Sequence, residues 1–346
     1  MSKSIITING ICIYKKIKLT RNINSERFTA AMTTDQSIQV RHFIESKIPY
    51  LQAFKKYELA SVNLENRLEQ QRYLSEGVFY VDPLKSNLAV GLMISRDERF
   101  YLCINDLDHI RMNLTSYDES FDELWQNLDL LDDGLGQVMD IAYLEPFGYL
   151  TSKIEQLGTA LNGEALMHLP ALKRTGFINA ITESMGAIGV QIKPYRSDFY
   201  IVFNTVTLGR SEIELALLLD QVVEKLSERE LAGRETIWVS DSLKLKDQIG
   251  RAFGQCQFSA AVEEDEALEW ISLLMLGERL GLVESEGSTQ ESLYKWHDYL
   301  LRVSDIRIEK EKHKSLGYRE KMQRRGEILN EIHTRWHWRG DENVNI

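Results

Sequence analysis

Cysteine is scarce in this chain. Cys12, Cys103 and Cys256 are odd in number and far apart, and no CxxC pair occurs. That excludes a disulfide-stapled scaffold and a cysteine-based zinc framework, and suits a reducing compartment. No run approaches the roughly 18 apolar residues of a membrane span. The N-terminus also lacks the apolar stretch and small-residue cleavage site of a signal peptide. The expectations are therefore a cytoplasmic protein with no membrane segment. Positive charge is in deficit as well, with a formal net charge of -11. Polyanion binding needs summed positive charge, so a nucleic-acid partner is disfavoured. Internal repeats and low-complexity segments are absent. What the chain does have is 346 residues that are 43% hydrophobic, enough for one large core or two smaller ones without metal or disulfide support.

The spacing of apolar residues gives a coarse organisation. Residues 1–75 are weakly periodic, with helical character from Arg41 to Glu69, and are expected to form a small, mostly helical N-terminal lobe. From Gly77 short β-rich runs follow: Val78–Val81, Leu88–Ile94 and Phe100–Ile104, separated by turn formers such as Asp82-Pro83. Ser116 with Glu119 has the form of a capping box, and Phe121, Leu124, Trp125, Leu128, Leu131, Leu135 and Val138 continue at helical spacing. Strand signals return at Val138–Tyr143, Gly189–Ile192 and Phe199–Val206, followed by a helix starter at Ser211 and Glu214. The expected fold class is α/β (α+β), with an α/β domain over 76–235 and a helical region over 236–346. Between Arg302 and Arg339 stand eleven Lys or Arg against six Asp or Glu, a surplus of +5. Either this marks an acidic partner or it is a solvated helix face balanced against the acidic body. Interleaving of the charges favours the second.

Five segments carry chemistry or its remains. The first is Tyr14-Lys15-Lys16-Ile17-Lys18-Leu19-Thr20-Arg21-Asn22, by itself a basic strand. The second is Asn105-Asp106-Leu107-Asp108-His109-Ile110-Arg111. The third is Gly148–Leu172, with Gly158 either permitting close backbone approach to a ligand or serving a turn, and with His168 in an apolar run as a structural histidine. The fourth joins Val190–Asp198 to Asn204-Thr205-Val206-Thr207-Leu208-Gly209, and the fifth is Leu276–Leu282. In this order and spacing they resemble the phosphagen (ATP:guanido) kinase family, most closely the bacterial protein-arginine kinases. The similarity runs from residue 13 to about 235 and continues weakly through the fifth segment.

The resemblance implies a guanido-kinase-like antiparallel sheet flanked by helices, on which ATP and a guanidino group meet. Phosphoryl transfer rewards positioning and neutralisation of phosphate charge. In the family frame Lys16 and Lys18 stand where phosphate-binding arginines are expected; they keep charge but lose the bidentate fork. Arg111 is kept as a phosphate ligand, His109 as a nucleotide contact, and Arg196 is a substitute phosphate ligand. Asp106 and Asp108 are the remaining carboxylates able to orient an acceptor. Three positions depart from the frame: Leu107 replaces a glutamate, Lys153 a cysteine beside the guanidinium, and Asn162 a phosphate-gripping arginine. A cation at 153 repels a guanidinium, and leucine cannot orient one. The Val190–Asp198 loop is also shorter than the family's and lacks its glutamate.

Two functions follow from the resemblance. The first is a catalytically impaired pseudokinase acting as a binding or regulatory subunit, with a zinc-finger adaptor or a protein-degradation unfoldase as implied partners, and dimerisation as in relatives. The second is an active protein-arginine kinase with a rearranged site, in which Lys16, Lys18, Arg111 and Arg196 hold ATP with Mg2+ and arginine-bearing proteins are the substrates. A third reading, independent of the family, makes the C-terminal helices the working surface. There His333, Trp336, His337 and Trp338 suggest a metal or aromatic patch, but two histidines four apart are a weak ligand set. No resident metal is expected.

Overall fold

The computed structural model describes residues 10–83, 85–285 and 289–340. The leading segment on which the absence of a signal peptide was read lies mostly outside them. The strands in chain order are β1 (Cys12–Arg21), β2 (Ala60–Ser61), β3 (Gly91–Ile94), β4 (Phe100–Ile104), β5 (Ile110–Ser116), β6 (Tyr143–Leu144), β7 (Gly148–Tyr149), β8 (Leu161–His168), β9 (Val190–Arg196), β10 (Phe199–Asn204), β11 (Val283–Ser285) and β12 (Trp336–Trp338). Eight of them form one sheet in the order β2-β3-β4-β5-β1-β8-β10-β9, while β6 pairs with β7 and β11 with β12. The pairs β2–β3, β3–β4, β4–β5 and β1–β5 are antiparallel. The expected antiparallel sheet flanked by helices is present.

By compactness the chain divides into two units, one of residues 1–14, 165–202 and 221–346, the other of residues 15–164 and 203–220. The second unit holds most of the segments singled out above. Its helix Phe121–Gly136 starts at a capping box made by Ser120 and Glu123, one turn later than Ser116 and Glu119. Ser116 ends β5, and its hydroxyl instead accepts from the backbone N–H of Asp118 and Glu119, turning the chain toward the helix. Asp220 reinforces the same helix start by accepting from Phe121 N at 2.9 Å and Asp122 N at 3.1 Å. Removing both acceptors with Asp220→Ala should cost about 1–2 kcal/mol, read as a lowered denaturant midpoint. No loss would mean that the Ser120 box alone suffices.

Several expected strands are shorter or absent for identifiable reasons. Val78–Val81 forms none, because Val78 N donates to Tyr73 O and the N–H groups of Tyr80 and Val81 donate to the Asp106 carboxylate. A backbone whose donors are already engaged cannot join a ladder. Val78 and Phe79 instead enter a buried cluster with Tyr73, Leu92 and Tyr101. Of Val138–Tyr143 only Tyr143 is extended into a strand.

The first unit is mainly helical. Its long helix Glu212–Phe258 opens in the residues of the second unit, where the capping pair Ser211 and Glu214 forms as expected, with Glu214 N donating to Ser211 Oγ and Ser211 N to Glu214 Oε2. That helix breaks at Asp241, whose φ of -159° and ψ of 66° are non-helical; Asp241 Oδ1 then accepts from Lys244 N and starts the second segment. Within the first unit Glu230, on this helix, accepts from Ala171 N and Leu172 N and pairs with Arg234 at 2.8 Å. His168 is structural as expected, buried with Nε2 2.9 Å from Ser272 Oγ, and burial pushes its pKa down to about 3.

The C-terminal residues read for a metal or aromatic patch have packing roles. Trp336 lies against Trp296 at 4.5 Å, His333 against Phe253 at 4.4 Å, and Trp336–Trp338 forms β12 against β11. Among the described residues no group of three or more His, Cys, Asp or Glu is placed to hold a metal ion. Charge on this region is met internally: Arg324 pairs with Glu311, Glu327 and Glu331, Lys321 with Asp305 and Glu309, and Arg302 with Glu331. No helix among the described residues is long and apolar enough to cross a membrane.

Candidate functional site

Alternation along β1 places Lys16, Lys18 and Thr20 on one face of the strand. The β1–β5 register sets Lys18 opposite Asn113 and Thr20 opposite Arg111, and the β4–β5 register sets Cys103 opposite Arg111. Residues directly opposite share a face, so Lys16, Lys18, Arg111, Asn113 and Cys103 form one patch within the second unit. Asn162 and Glu164 lie two apart on β8 and share a face in the same way.

The cations of this patch are occupied. Glu164 lies between the two lysines, 3.2 Å from Lys16 Nζ and 2.8 Å from Lys18 Nζ. Against the cost of burial, Lys18 and then Lys16 pull the Glu164 pKa down to about 2. Burial lowers the Lys16 pKa despite Glu164, whereas Glu164 overcomes burial and raises that of Lys18. Arg111 pairs with Asp106 at 2.6 Å, both side chains almost wholly buried. Its Nη2 also donates to Val78 O, while its Nε and Nη1 have no hydrogen-bond partner.

Tyr80 covers this arrangement. Its ring lies 3.7 Å from the Arg111 guanidinium, 4.9 Å from Lys153 Nζ and 5.7 Å from Lys18 Nζ. A ring face attracts each of these cations. Lys153, on which the frame expects a cysteine, thus puts positive charge beside the patch.

The other residues singled out are engaged elsewhere. Asp106 accepts from Tyr80 N and Val81 N in addition to Arg111. Asp108 accepts from Asn22 Nδ2 at 2.6 Å and Ser152 N at 2.7 Å. His109 is fully buried; Nδ1 accepts from Ile23 N at 3.0 Å and Nε2 lies 2.8 Å from Arg27 O, and burial lowers its pKa. Both ring nitrogens are therefore spent on backbone. Asn162 Nδ2 donates to Asn204 O at 3.3 Å. Arg196 belongs to the first unit, where it pairs with Glu264. Gly158 needs to be glycine for a reason internal to the chain: its φ is +101°, and a Cβ there would lie 2.3 Å from Thr207 O. The close approach is to the chain's own backbone. The buried Cys103 thiol is pushed up to about 11 and that of Cys256 to about 12, chiefly by burial, which makes both poor nucleophiles.

Tyr80, Asn113 and Glu164 were missed in the sequence. Tyr80 stood in an expected strand, Asn113 just beyond the second segment, and Glu164 in the third segment, which was read for what it lacked. The one signal for Glu164 was its place two residues after Asn162 on an alternating strand.

A cation patch on an antiparallel sheet, with a glycine-dependent loop beside it, defines the class. The ATP:guanido phosphotransferase C-terminal catalytic domain matches residues 37–232, and the chain belongs to that family. The protein-arginine kinase McsB C-terminal domain matches residues 242–337. Curated relatives include the protein-arginine kinase of Caldanaerobacter subterraneus subsp. tengcongensis, 28% identical over 286 residues, covering 79% of this chain and 84% of the relative. That of Bacillus subtilis is 27% identical over 292 residues, covering 81% and 79%. Among solved structures, the substrate-free duplicated taurocyamine kinase from Schistosoma mansoni aligns with a TM-score of 0.57 at 19% identity, covering 67% of this chain and 35% of that one. Lombricine kinase aligns with a TM-score of 0.54 at 18% identity, covering 65% and 67%. These two establish the shared fold alone.

Proposed function

We propose that this chain is a catalytically impaired, protein-arginine kinase-like member of its family that acts as a binding or regulatory subunit. The observation that carries this reading is the pairing of the cation patch with its own carboxylates, Lys16 and Lys18 with Glu164 and Arg111 with Asp106. A triphosphate would have to displace Glu164 or add its charge beside it, and a carboxylate next to a phosphate is repulsive. The donor set therefore fits ATP poorly. The acceptor side points the same way. Leu107 offers no carboxylate, Asp106 and Asp108 are committed to internal partners, and Lys153 repels a guanidinium. With Asp106, Asp108 and Glu164 all committed to internal partners, none of them is left to orient an acceptor or hold Mg2+, and the working role passes to protein partners. An adaptor, an unfoldase or a second copy are the classes that the family frame suggests.

The rearranged-kinase reading has one observation in its favour, the Nε and Nη1 groups of Arg111 that lack partners. Incubation of the purified chain with MgATP and a mixed protein substrate, with phosphoarginine read by mass spectrometry under neutral handling, separates the two. The expected result is no phosphoarginine above a control without protein, with or without an added adaptor. Phosphoarginine that vanishes in Lys18→Ala would end the impaired reading.

A further inference from the structure

Away from the cation patch, the second unit carries a face of opposite character. The hairpin β6–β7 leaves Tyr143, Leu144 and Phe147 exposed at 55%, 52% and 48%. It adjoins a cavity of about 770 Å³ whose lining includes Asp132, Asp133, Met139, Asp140 and Tyr149.

The helix Phe121–Gly136 ends at this cavity with no basic residue in its last turn. The carbonyl end of a helix carries partial negative charge and is ordinarily met by Lys, Arg or His. Here Asp132 and Asp133 add to it. One internal cation answers part of that charge: the Arg21 guanidinium grips Asp132 through three hydrogen bonds and lies 3.4 Å from the centre of the Tyr149 ring. Asp133 and Asp140 stay exposed at the rim. Burial, then the neighbouring Asp133 and Asp132, push the Asp129 carboxyl upward, as expected where negative charge is not fully compensated.

We propose that this face docks a cationic segment of a partner protein, an arginine or lysine side chain entering the acidic cavity while an apolar neighbour seats on Leu144 and Phe147. Charge complementarity selects this occupant. Exposed apolar side chains beside a polar rim are the usual anatomy of a docking surface, and the rim here is acidic. A second copy would bring the same acidic rim, on a chain of net charge -11, against itself. The inference names a partner chemistry for the binding role without depending on whether the cation patch turns over.

The test is fluorescence anisotropy of the full chain, without ATP, against a labelled peptide of alternating arginine and leucine and a counterpart with glutamate for arginine. The arginine peptide should bind, more weakly as salt rises, and the glutamate peptide should not. Asp133→Asn with Asp140→Asn should weaken binding by at least about fivefold, and so should Leu144→Ser with Phe147→Ser. Glu224→Gln with Glu228→Gln, the same charge change at exposed positions of the long helix, should leave it unaltered. All substituted positions are exposed, and Asp133→Asn alone repeats the test should a double variant misfold. Equal weakening by the control pair would reduce the effect to net charge and overturn the proposal. So would light scattering that shows a dimer converted to monomer by Phe147→Ser, which would assign the face to a second copy.

Discussion

Glu164→Gln is expected to raise the affinity of the chain for inorganic triphosphate or ATP by about tenfold while lowering its stability by roughly 3 kcal/mol. One carboxylate at present serves two buried lysines, at 3.2 and 2.8 Å. Replacing it with an amide removes the carboxylate that the two ammonium groups share, which destabilises the fold and opens an anion site in the same step. Calorimetric titration reads the first effect and denaturant unfolding the second. The pH profile gives a further check. The Glu164 pKa is about 2 in the folded chain, below the ordinary carboxylate value, so its stabilising contribution is fully present above about pH 4.5 and declines as pH falls from there toward 2. The Gln variant should lack that part of the acid transition. Unchanged triphosphate affinity in the variant would mean that Glu164 is not what withholds the lysines, and would remove the main support for the impaired reading.

Arg111→Met should cost about 3 kcal/mol or more, because it leaves Asp106 with a buried charge answered only by the Tyr80 and Val81 N–H groups. Tyr80 would lose its closest cation as well. Asp106→Asn in the same background should recover part of the loss, since the uncompensated charge is then gone. A double-mutant cycle in urea measures the coupling. If Arg111→Met is nearly neutral for stability yet abolishes residual anion binding, Arg111 is a ligand residue held by something other than Asp106, and the rearranged-kinase reading gains.

Much of the scaffold was legible because it depends on neighbours in sequence. The helix Phe121–Gly136 announced itself by apolar spacing; its capping residue was misplaced, since Ser116 and Ser120 offer the same motif one turn apart, and the spacing was carried on to Val138, two residues past its end. Capping at 211 and 214 was read correctly for the same local reason. Val78–Val81 was misread because β-branched and aromatic residues there fill a core cluster while their backbone donors go to a carboxylate at 106. The strand β12 was missed because its partner β11 lies some fifty residues away, and three residues are too few to show an alternation.

The sequence by itself determined the family, much of the main sheet, the alternation that puts Lys16 and Lys18 on one face of β1, and the residue types that stand at 107, 153 and 162. Side-chain period and residue type are properties of the chain wherever it goes. Only the tertiary structure decided that both lysines are paired from within, by one shared carboxylate. Glu164 is 146 residues from Lys18, and no local rule says which carboxylate a lysine will meet. Strand order and register brought them together, and burial then made the pairing strong, because a charge withdrawn from water must find its counter-charge inside the fold.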